Sequence, residues 1–267
     1  MSNMSGVENN VHYSLFKGEP GTRKSTAALT YPGPQYWFSF DWKMNALVLP
    51  MKKWGIDPKT VEYDDFKDWS SARSKLEQFQ LNCPYKTIVI DSITSIADSM
   101  LGQVKKLKAG TTKSSGAQAG RAVGGISVNE MEDYNAEAAG LNELIALTKD
   151  IQRYHKIDVI LIAHVIRTES RDPSGKQNIT RVIVTAGKKP AAKIPAYCDE
   201  MYHFGVESSL VEGQGGDYTI LTNNTGDDYA RTTLELPGLI RIKDDQLYLK
   251  YVKPAIDKLN EPSLTLK

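Results

Sequence analysis

Apolar runs of strand length alternate with amphipathic stretches along the chain as far as residue 164. The strand-type runs cover residues 12–17, 35–40, 86–90 and 158–163. The helical patterns cover residues 25–30, 68–80, 95–108 and 130–155. Nearly continuous apolar strands separated by helices are typical of a parallel sheet that is covered on both faces. The pattern therefore predicts an α/β fold with a mostly parallel, twisted sheet flanked by helices.

Beyond residue 176 the apolar runs become shorter, and turns containing Gly and Asn separate them. These later runs cover residues 179–185, 200–206, 218–222 and 246–249. We interpret them as an antiparallel C-terminal extension of the same sheet. The sequence has no repeat or interdomain linker, so we predict one core over residues 1–253 and a poorly ordered tail over residues 254–267. Residues 111–125 have the Gly-, Ser-, Thr- and Ala-rich composition of a mobile loop.

The composition is that of an ordinary globular protein and argues against a disordered, collagenous or repeat chain. The chain has 267 residues, 40% hydrophobic and 24% charged, close to the usual globular values of about 45–50% and 25%. Its 33 basic and 32 acidic residues leave a net charge of +1, so any site for a polyanion must be local. The two cysteines, Cys83 and Cys198, are far apart, and no signal-peptide or membrane-span pattern is present. We therefore expect a cytoplasmic protein with no disulfide framework and no membrane partner.

Residues 18–25, GEPGTRKS, lie between the first predicted strand and the first predicted helix. The pattern GxxxxGK[ST] binds phosphates because loop N–H groups point inward, the Lys reaches the β- and γ-phosphates, and the hydroxyl binds Mg²⁺. Gly18, Lys24 and Ser25 match this pattern, whereas Arg23 replaces its second glycine. The alternative is a tight strand-to-helix turn without a ligand. The candidate nucleotide-binding residues are Gly18, Glu19, Pro20, Gly21, Thr22, Arg23, Lys24, Ser25 and Thr26.

A second strand end supports a nucleotide site. The run 86–90 ends in Asp91, where a carboxylate that binds Mg²⁺ would follow a neighbouring strand. The sequence therefore predicts ATP and Mg²⁺ as cofactors, with Ser25 and Asp91 as the metal ligands. Arg23 leaves two possibilities open: a positive φ there would cost about 1–2 kcal/mol, and otherwise the guanidinium is simply placed near the phosphates.

Several segments together resemble the RecA-like ATPases, and among them the small phage-encoded recombinases of the Sak type that assist single-strand annealing. The resemblance covers most of the chain. It rests on the segments GEPGTRKST, TIVIDSITS, LIAH, AGKKPAAKIPAYCDEMYHF, YTILTNN and YARTTLELPG. It implies a RecA-like P-loop NTPase fold, with Lys24, Asp91, Asp41 and His164 as catalytic residues and His164 sensing the γ-phosphate. It also implies a homo-oligomer, ring or filament, in which Lys188, Lys189 and Lys193 act on a neighbour's nucleotide.

The chain departs from this family after its second strand, where RecA-like proteins usually carry a glutamate that activates water. The sequence here reads Asp41-Trp42-Lys43, which places a lysine at that position. Asp41 is the nearest substitute. We therefore expect weak or slow ATP hydrolysis.

Two basic segments are candidates for contact with single-stranded DNA. Residues 102–127 contain no acidic residue, and residues 165–193 hold only two. The resemblance implies DNA-facing loops at these two places, where phosphate contacts would be salt-dependent. The alternative is a solvated basic surface, since neither segment has an aromatic residue for base stacking. The candidates are Lys105, Lys106, Lys108, Lys113, Arg121, Arg167, Arg171, Lys176 and Arg181.

The sequence thus favours an ATP-binding protein of recombination or replication that acts on single-stranded DNA, with a single-strand-binding protein as a possible partner. A helicase or helicase loader on the same core is the nearest alternative. A nucleotide-regulated DNA-binding protein without turnover is another. A P-loop small-molecule kinase is less favoured, because a kinase lid carries several arginines, whereas residues 102–127 hold four lysines and six glycines but only one arginine.

Overall fold

The computed structural model describes residues 11–111, 122–123, 126–127, 131–171, 177–185, 193–207, 216–226, 228–242 and 246–261. Its strands are β1 (Tyr13–Gly18), β2 (Gln35–Ser39), β3 (Val61–Asp65), β4 (Thr87–Asp91), β5 (Ala122–Val123), β6 (Ile126–Ser127), β7 (Asp158–Arg171), β8 (Gln177–Ile183), β9 (Glu200–Glu207), β10 (Asp217–Leu221) and β11 (Leu239–Ile242). Its α-helices are α1 (Lys24–Ala28), α2 (Val48–Trp54), α3 (Trp69–Leu81), α4 (Ile93–Thr111), α5 (Met131–His155) and α6 (Lys253–Asn260). Short 3₁₀ helices cover Met44–Leu47, Pro58–Thr60 and Ile194–Tyr197.

One nine-stranded sheet organises the molecule. The strands run in the order β11-β10-β9-β1-β7-β4-β2-β3, and β8 pairs with β7. All pairs from β9 to β3 are parallel, whereas β10 and β11 continue the sheet in antiparallel fashion. The predicted α/β fold, with its parallel sheet and antiparallel C-terminal extension, is confirmed.

Alternating residues of the central strands fill a core on each face of the sheet. Leu15 and Ile90 belong to the core under α3, α4 and α5, whereas their neighbours Phe16 and Val89 belong to the core under α1 and α6. All four side chains are fully buried. Burial of each such side chain stabilises the fold by about 1.5–3 kcal/mol. Burial on both faces explains why these strands have nearly continuous apolar sequences.

The end of β7 forms an arm beyond the parallel sheet. The register pairs Val165 with Ile183 and continues outward to Arg171 and Gln177. The apolar run predicted over residues 158–163 is therefore only the inner part of a longer strand, whose outer part from Val165 pairs only with β8 and is polar from Arg167 onward.

Several local predictions differ from the structure, and the strands β5, β6 and β11 were not predicted. The strand predicted at residues 246–249 is wrong, because Tyr248–Val252 is a π-helix that leads into α6. Strand β3 was not predicted, since Val61–Asp65 is an edge strand with mostly exposed, charged residues. The segment predicted as a tail contains most of α6, whose Ile256 is buried in the second core.

Cys83 and Cys198 are both free thiols. Among the helices within the described ranges, none combines the length and apolar character needed to cross a membrane. Most of the loop predicted over residues 111–125 lies outside those ranges.

Candidate functional site

The loop between β1 and α1 depends on glycine at two positions. A Cβ atom on Gly18 would lie 2.3 Å from the carbonyl oxygen of Phe204 on β9, far inside van der Waals contact. Gly21 has φ +80°, which a side chain would strain. The close approach of β1 to β9 and the turn of the loop therefore both require glycine at these places.

Arg23 has a left-handed backbone, with φ 65° and ψ 24°. This decides the question that the sequence left open, because a non-glycine residue here costs about 1–2 kcal/mol. The Arg23 guanidinium carbon lies 3.7 Å from the centre of the Tyr218 ring on β10. A cation–π contact of this kind contributes about 0.5–2 kcal/mol. The free energy gained from this contact is therefore similar to the free-energy cost of the left-handed backbone at Arg23.

Lys24 folds back onto the loop. Its Nζ donates hydrogen bonds to the carbonyl oxygens of Gly18 at 2.9 Å and Glu19 at 2.8 Å, and the residue is 5% exposed. Burial lowers the pKa of Lys24 to about 8, although the nearby carboxylates of Asp91 and Asp41 act in the opposite direction. The Lys24 ammonium lies inside the loop with carbonyl oxygens as its hydrogen-bond acceptors. A bound phosphate would replace these carbonyls as the acceptor.

Ser25 meets Asp91 across the gap between the loop and β4. Ser25 Oγ donates a 2.7 Å hydrogen bond to Asp91 Oδ2. Burial raises the pKa of Asp91 above its ordinary value, and this effect outweighs the hydrogen bond from Ser25 and the attraction of Lys24. The predicted metal ligands are thus in contact, and an approaching cation would stabilise the charged form of Asp91.

Asp41 and His164 form a second polar pair beside the loop. His164 Nε2 donates to Asp41 Oδ2 at 3.2 Å, and Ser92 Oγ donates to Asp41 Oδ1 at 3.2 Å. Ser95 donates a further hydrogen bond to Asp41 Oδ1. Burial alone would raise the pKa of Asp41, but the hydrogen bonds from His164 and Ser95 outweigh it and lower that pKa to about 2. Both oxygens of Asp41 are therefore engaged, and its carboxylate is a weak base.

A cavity of about 300 Å³ joins these groups. Its wall contains residues 20–26 of the loop together with Asp41, Lys43, Asp91 and His164. Glu19 stands beside it as an exposed residue, and Gly18 lies below the loop at the end of β1. The structure thus brings together the catalytic and metal-binding candidates that the sequence drew from four separate segments.

A second cavity of about 200 Å³, lined largely by apolar side chains, lies on the other side of the same loop. Trp54, Tyr218 and Ile220 contribute to its wall, and both cavities share Thr22, Arg23 and Thr26. No local pattern in the sequence marks Trp54 or Tyr218 as residues of a site. Their patterns are those of ordinary core residues, and only the pairing of β10 beside β9 brings Tyr218 to the loop.

The basic candidates are more scattered. Arg167 and Arg181 face each other in register on β7 and β8; Arg167 pairs with Glu169 at 2.9 Å and Arg181 with Asp228 at 2.5 Å. Lys105 is half-buried on α4, and Lys193 is exposed just before a 3₁₀ helix. The backbones of Lys106, Lys108 and Arg171 lie in α4 and β7, but their side chains fall outside the description. Lys113, Arg121, Lys176, Lys188 and Lys189 lie outside the described residues.

Comparisons with known proteins agree with this architecture. A family model described as an AAA domain matches residues 14–234. Among solved structures, the crystal structure of the RadB recombinase matches with a TM-score of 0.50 and 15% sequence identity, over 87% of this chain and 88% of that chain. No curated protein matches the chain in sequence. At this identity the structural likeness shows a shared fold, and it confirms the RecA-like fold that the sequence predicted.

Proposed function

The chain belongs to the AAA-domain family, and from this premise we propose that it is a RecA-like ATPase that binds ATP with Mg²⁺ and acts on single-stranded DNA. The observation that carries the proposal is the placement of Lys24 and the Ser25–Asp91 pair in one cavity under a glycine-dependent loop. Those are the three groups that a triphosphate with its metal requires: an ammonium, a hydroxyl and a carboxylate.

Each group has a definite part in nucleotide binding. The backbone N–H groups of the loop and the Lys24 ammonium would hold the phosphates, and Ser25 and Asp91 would supply two oxygens to Mg²⁺. Mg²⁺ neutralises charge on the β- and γ-phosphates when it is bound. The adjoining apolar cavity, with Trp54 in its wall, has the aromatic character suited to a nucleobase. Thr26, which lines both cavities, lies between the two parts of the ligand.

The state of Asp41 supports slow hydrolysis. A general base works best with a pKa near the operating pH, whereas the pKa of Asp41 is about 2 and both its oxygens accept hydrogen bonds. Lys43, at the position where the RecA-like family carries its glutamate, is exposed and lines the phosphate cavity. We therefore assign Asp41 to positioning His164, beside the expected γ-phosphate, and expect turnover to be slow.

The arm formed by β7 and β8 supports DNA binding. It continues directly from His164, so a change at the phosphate cavity has a short path to Arg167 and Arg181. When such arginines contact the phosphate backbone of DNA, the binding affinity falls steeply as the salt concentration rises. The segments that resemble Sak-type phage recombinases support a role in recombination or replication by a homo-oligomer. In that assembly Lys188, Lys189 and Lys193 would reach a neighbour's nucleotide, and a single-strand-binding protein is a candidate partner.

Two measurements test the proposal. The first is calorimetry with ATP–Mg²⁺, and the second is a phosphate-release assay with and without single-stranded oligonucleotide. We expect binding and a slow release that the oligonucleotide increases. Lys24→Ala should abolish binding, whereas Lys52→Ala, an exposed lysine on α2, should leave it unchanged. Absence of ATP–Mg²⁺ binding by the wild-type protein would rule out the proposal.

Phosphate release, together with a strand-separation assay and an assay of ADP formation with candidate acceptors, separates the alternatives. Strand separation driven by ATP would indicate a helicase, and ADP formation that depends on a small-molecule acceptor would indicate a kinase. ATP binding without any release would indicate a nucleotide-regulated DNA-binding protein. The engaged state of Asp41 makes that last function the second candidate. Electron microscopy with and without ATP and oligonucleotide would show whether a ring or filament forms.

A further inference from the structure

Arg23 and Tyr218 make a contact that the proposed phosphate chemistry does not use. We propose that Tyr218 is a positioning residue for the phosphate loop: its ring holds Arg23 in the left-handed conformation that joins the loop to α1. This inference rests on the proposed nucleotide binding and extends it, because it makes a strand of the antiparallel extension part of the nucleotide site. It is specific to a chain that carries arginine where the loop pattern has glycine.

The position of Arg23 makes its backbone angle important. Arg23 immediately precedes Lys24, and its carbonyl oxygen accepts the 3.0 Å hydrogen bond from the Ala27 N–H that opens α1. No side-chain hydrogen bond caps this end of the helix. A change of φ at Arg23 would therefore turn the N–H groups and side chains of Lys24 and Ser25 away from the cavity.

Glycine would hold this conformation without help, because it adopts a positive φ about as readily as a negative one. Arginine does not, so its backbone must be held by contacts elsewhere. The Tyr218 ring, 3.7 Å from the guanidinium carbon, supplies such a contact at the far end of the side chain. A flat guanidinium over an aromatic face is the arrangement in which arginine binds rings best.

Tyr218 is itself firmly placed. It pairs with Val206 on β9 and with Ile242 on β11, so strands lie on both sides of it. The neighbouring strand β9 also presents Phe204, whose carbonyl oxygen closes against Gly18 at the start of the loop. The two ends of the phosphate loop are thus fixed against adjacent strands, Gly18 against β9 and Arg23 against β10.

A double-mutant cycle tests this role by ATP–Mg²⁺ calorimetry. Tyr218→Phe keeps the ring and should bind within about twofold of wild type, whereas Tyr218→Leu should bind about tenfold more weakly. Arg23→Gly removes both the strain and its partner, so Tyr218→Leu should have no further effect in the Arg23→Gly background. If Tyr218→Leu only disrupted β10, it would instead weaken ATP–Mg²⁺ binding equally in the wild-type and Arg23→Gly proteins. Tyr63→Leu, an exposed tyrosine on β3 at the other edge of the sheet, is the matched control.

Amide hydrogen exchange supplies a readout that needs no nucleotide. The N–H groups of residues 22–25 should exchange faster in Tyr218→Leu than in Tyr218→Phe, with the exchange of β4 unchanged. Wild-type binding that persists undiminished in Tyr218→Leu, or equal exchange in the two variants, would overturn the positioning role. If wild type fails to bind ATP–Mg²⁺, the proposed function fails, and the exchange comparison still decides whether Tyr218 shapes the loop.

Discussion

Ser25 Oγ donates a 2.7 Å hydrogen bond to Asp91 Oδ2 and so links the phosphate loop to the carboxyl end of β4. The link arises from the topology, because β1 and β4 flank β7 in one parallel sheet and their carboxyl ends lie at the same edge. Ligands of open parallel sheets bind beyond that edge. The contact therefore joins two residues whose proposed task is to bind one cation.

The Ser25 hydroxyl should matter mainly when Mg²⁺ is present. Ser25→Ala removes one oxygen ligand but leaves Lys24 and the loop, so we expect ATP affinity to fall about tenfold or more with Mg²⁺ and to change little with EDTA. Calorimetry under both conditions measures the difference. Ser99→Ala, which removes a hydroxyl bonded to Ile96 O within α4, is the control. Equal losses with and without Mg²⁺ would count against Ser25 as a metal ligand.

Nucleotide binding should take up a proton above pH 8. The pKa of Lys24 is about 8, so at higher pH much of the nucleotide-free protein carries a neutral amine there. Phosphates favour the ammonium and raise this pKa, so affinity should fall as pH rises from 8 towards 9.5, by at most tenfold per unit. Calorimetry in two buffers with different ionisation enthalpies measures the uptake. Lys24→Arg keeps its charge at these pH values and should show no proton uptake. A wild-type protein that also shows no uptake would contradict the role of Lys24 as the group that gains the proton.

The local part of the candidate site can be recognised in the sequence. Gly18, Lys24 and Ser25 lie in one short pattern, and Asp91 follows a strand whose buried sequence can be recognised directly. Because parallel strands end at one edge, the shared direction of β1 and β4 places these residues on one side of the sheet, although β7 lies between the two strands.

Side-chain contacts between residues far apart in the sequence could not be predicted from it. The φ of Arg23 and its stack on Tyr218 depend on the register of β10 against β9, which no local pattern encodes. Residues 246–249 have the pattern of a short strand, yet a π-helix begins at Tyr248, whose ring packs on Tyr31 with ring centres 4.8 Å apart. Tertiary packing outweighed local pattern in both cases.

Gly18 should be intolerant of any side chain. Gly18→Ala would drive a Cβ into the Phe204 carbonyl oxygen, so β1 and β9 would have to separate, at a cost of about 1–3 kcal/mol in the free energy of unfolding. Gly102→Ala, on α4 with no neighbouring side chain or strand within 4 Å of the added Cβ, should instead gain up to about 1 kcal/mol. Urea unfolding of both variants measures the contrast. Equal stabilities would mean that the strands are less closely placed than the structure has them.

Asp158 should make the protein less stable as pH rises from about 4 to 7. The side chain is 3% exposed, and burial raises its pKa from 3.8 to about 7, although its Oδ1 accepts a hydrogen bond from the His12 N–H. Between these two pH values the folded protein keeps a proton that the unfolded chain releases. The free energy of unfolding therefore falls through this window, by at most about 1.4 kcal/mol per pH unit, and this contribution levels off above pH 7.

Asp158→Asn isolates this contribution. The amide keeps an oxygen acceptor for the His12 N–H and cannot ionise, so the variant should lose the downward slope and be more stable than wild type at pH 8. Asp68→Asn, which retains the oxygen that caps α3, should keep the wild-type slope and serves as the control. Urea denaturation at pH 4, 5.5, 7 and 8 measures all three proteins. Parallel curves for wild type and Asp158→Asn would show that Asp158 carries its charge in the folded protein, because a buried carboxyl that is already ionised at pH 4 has no proton to lose.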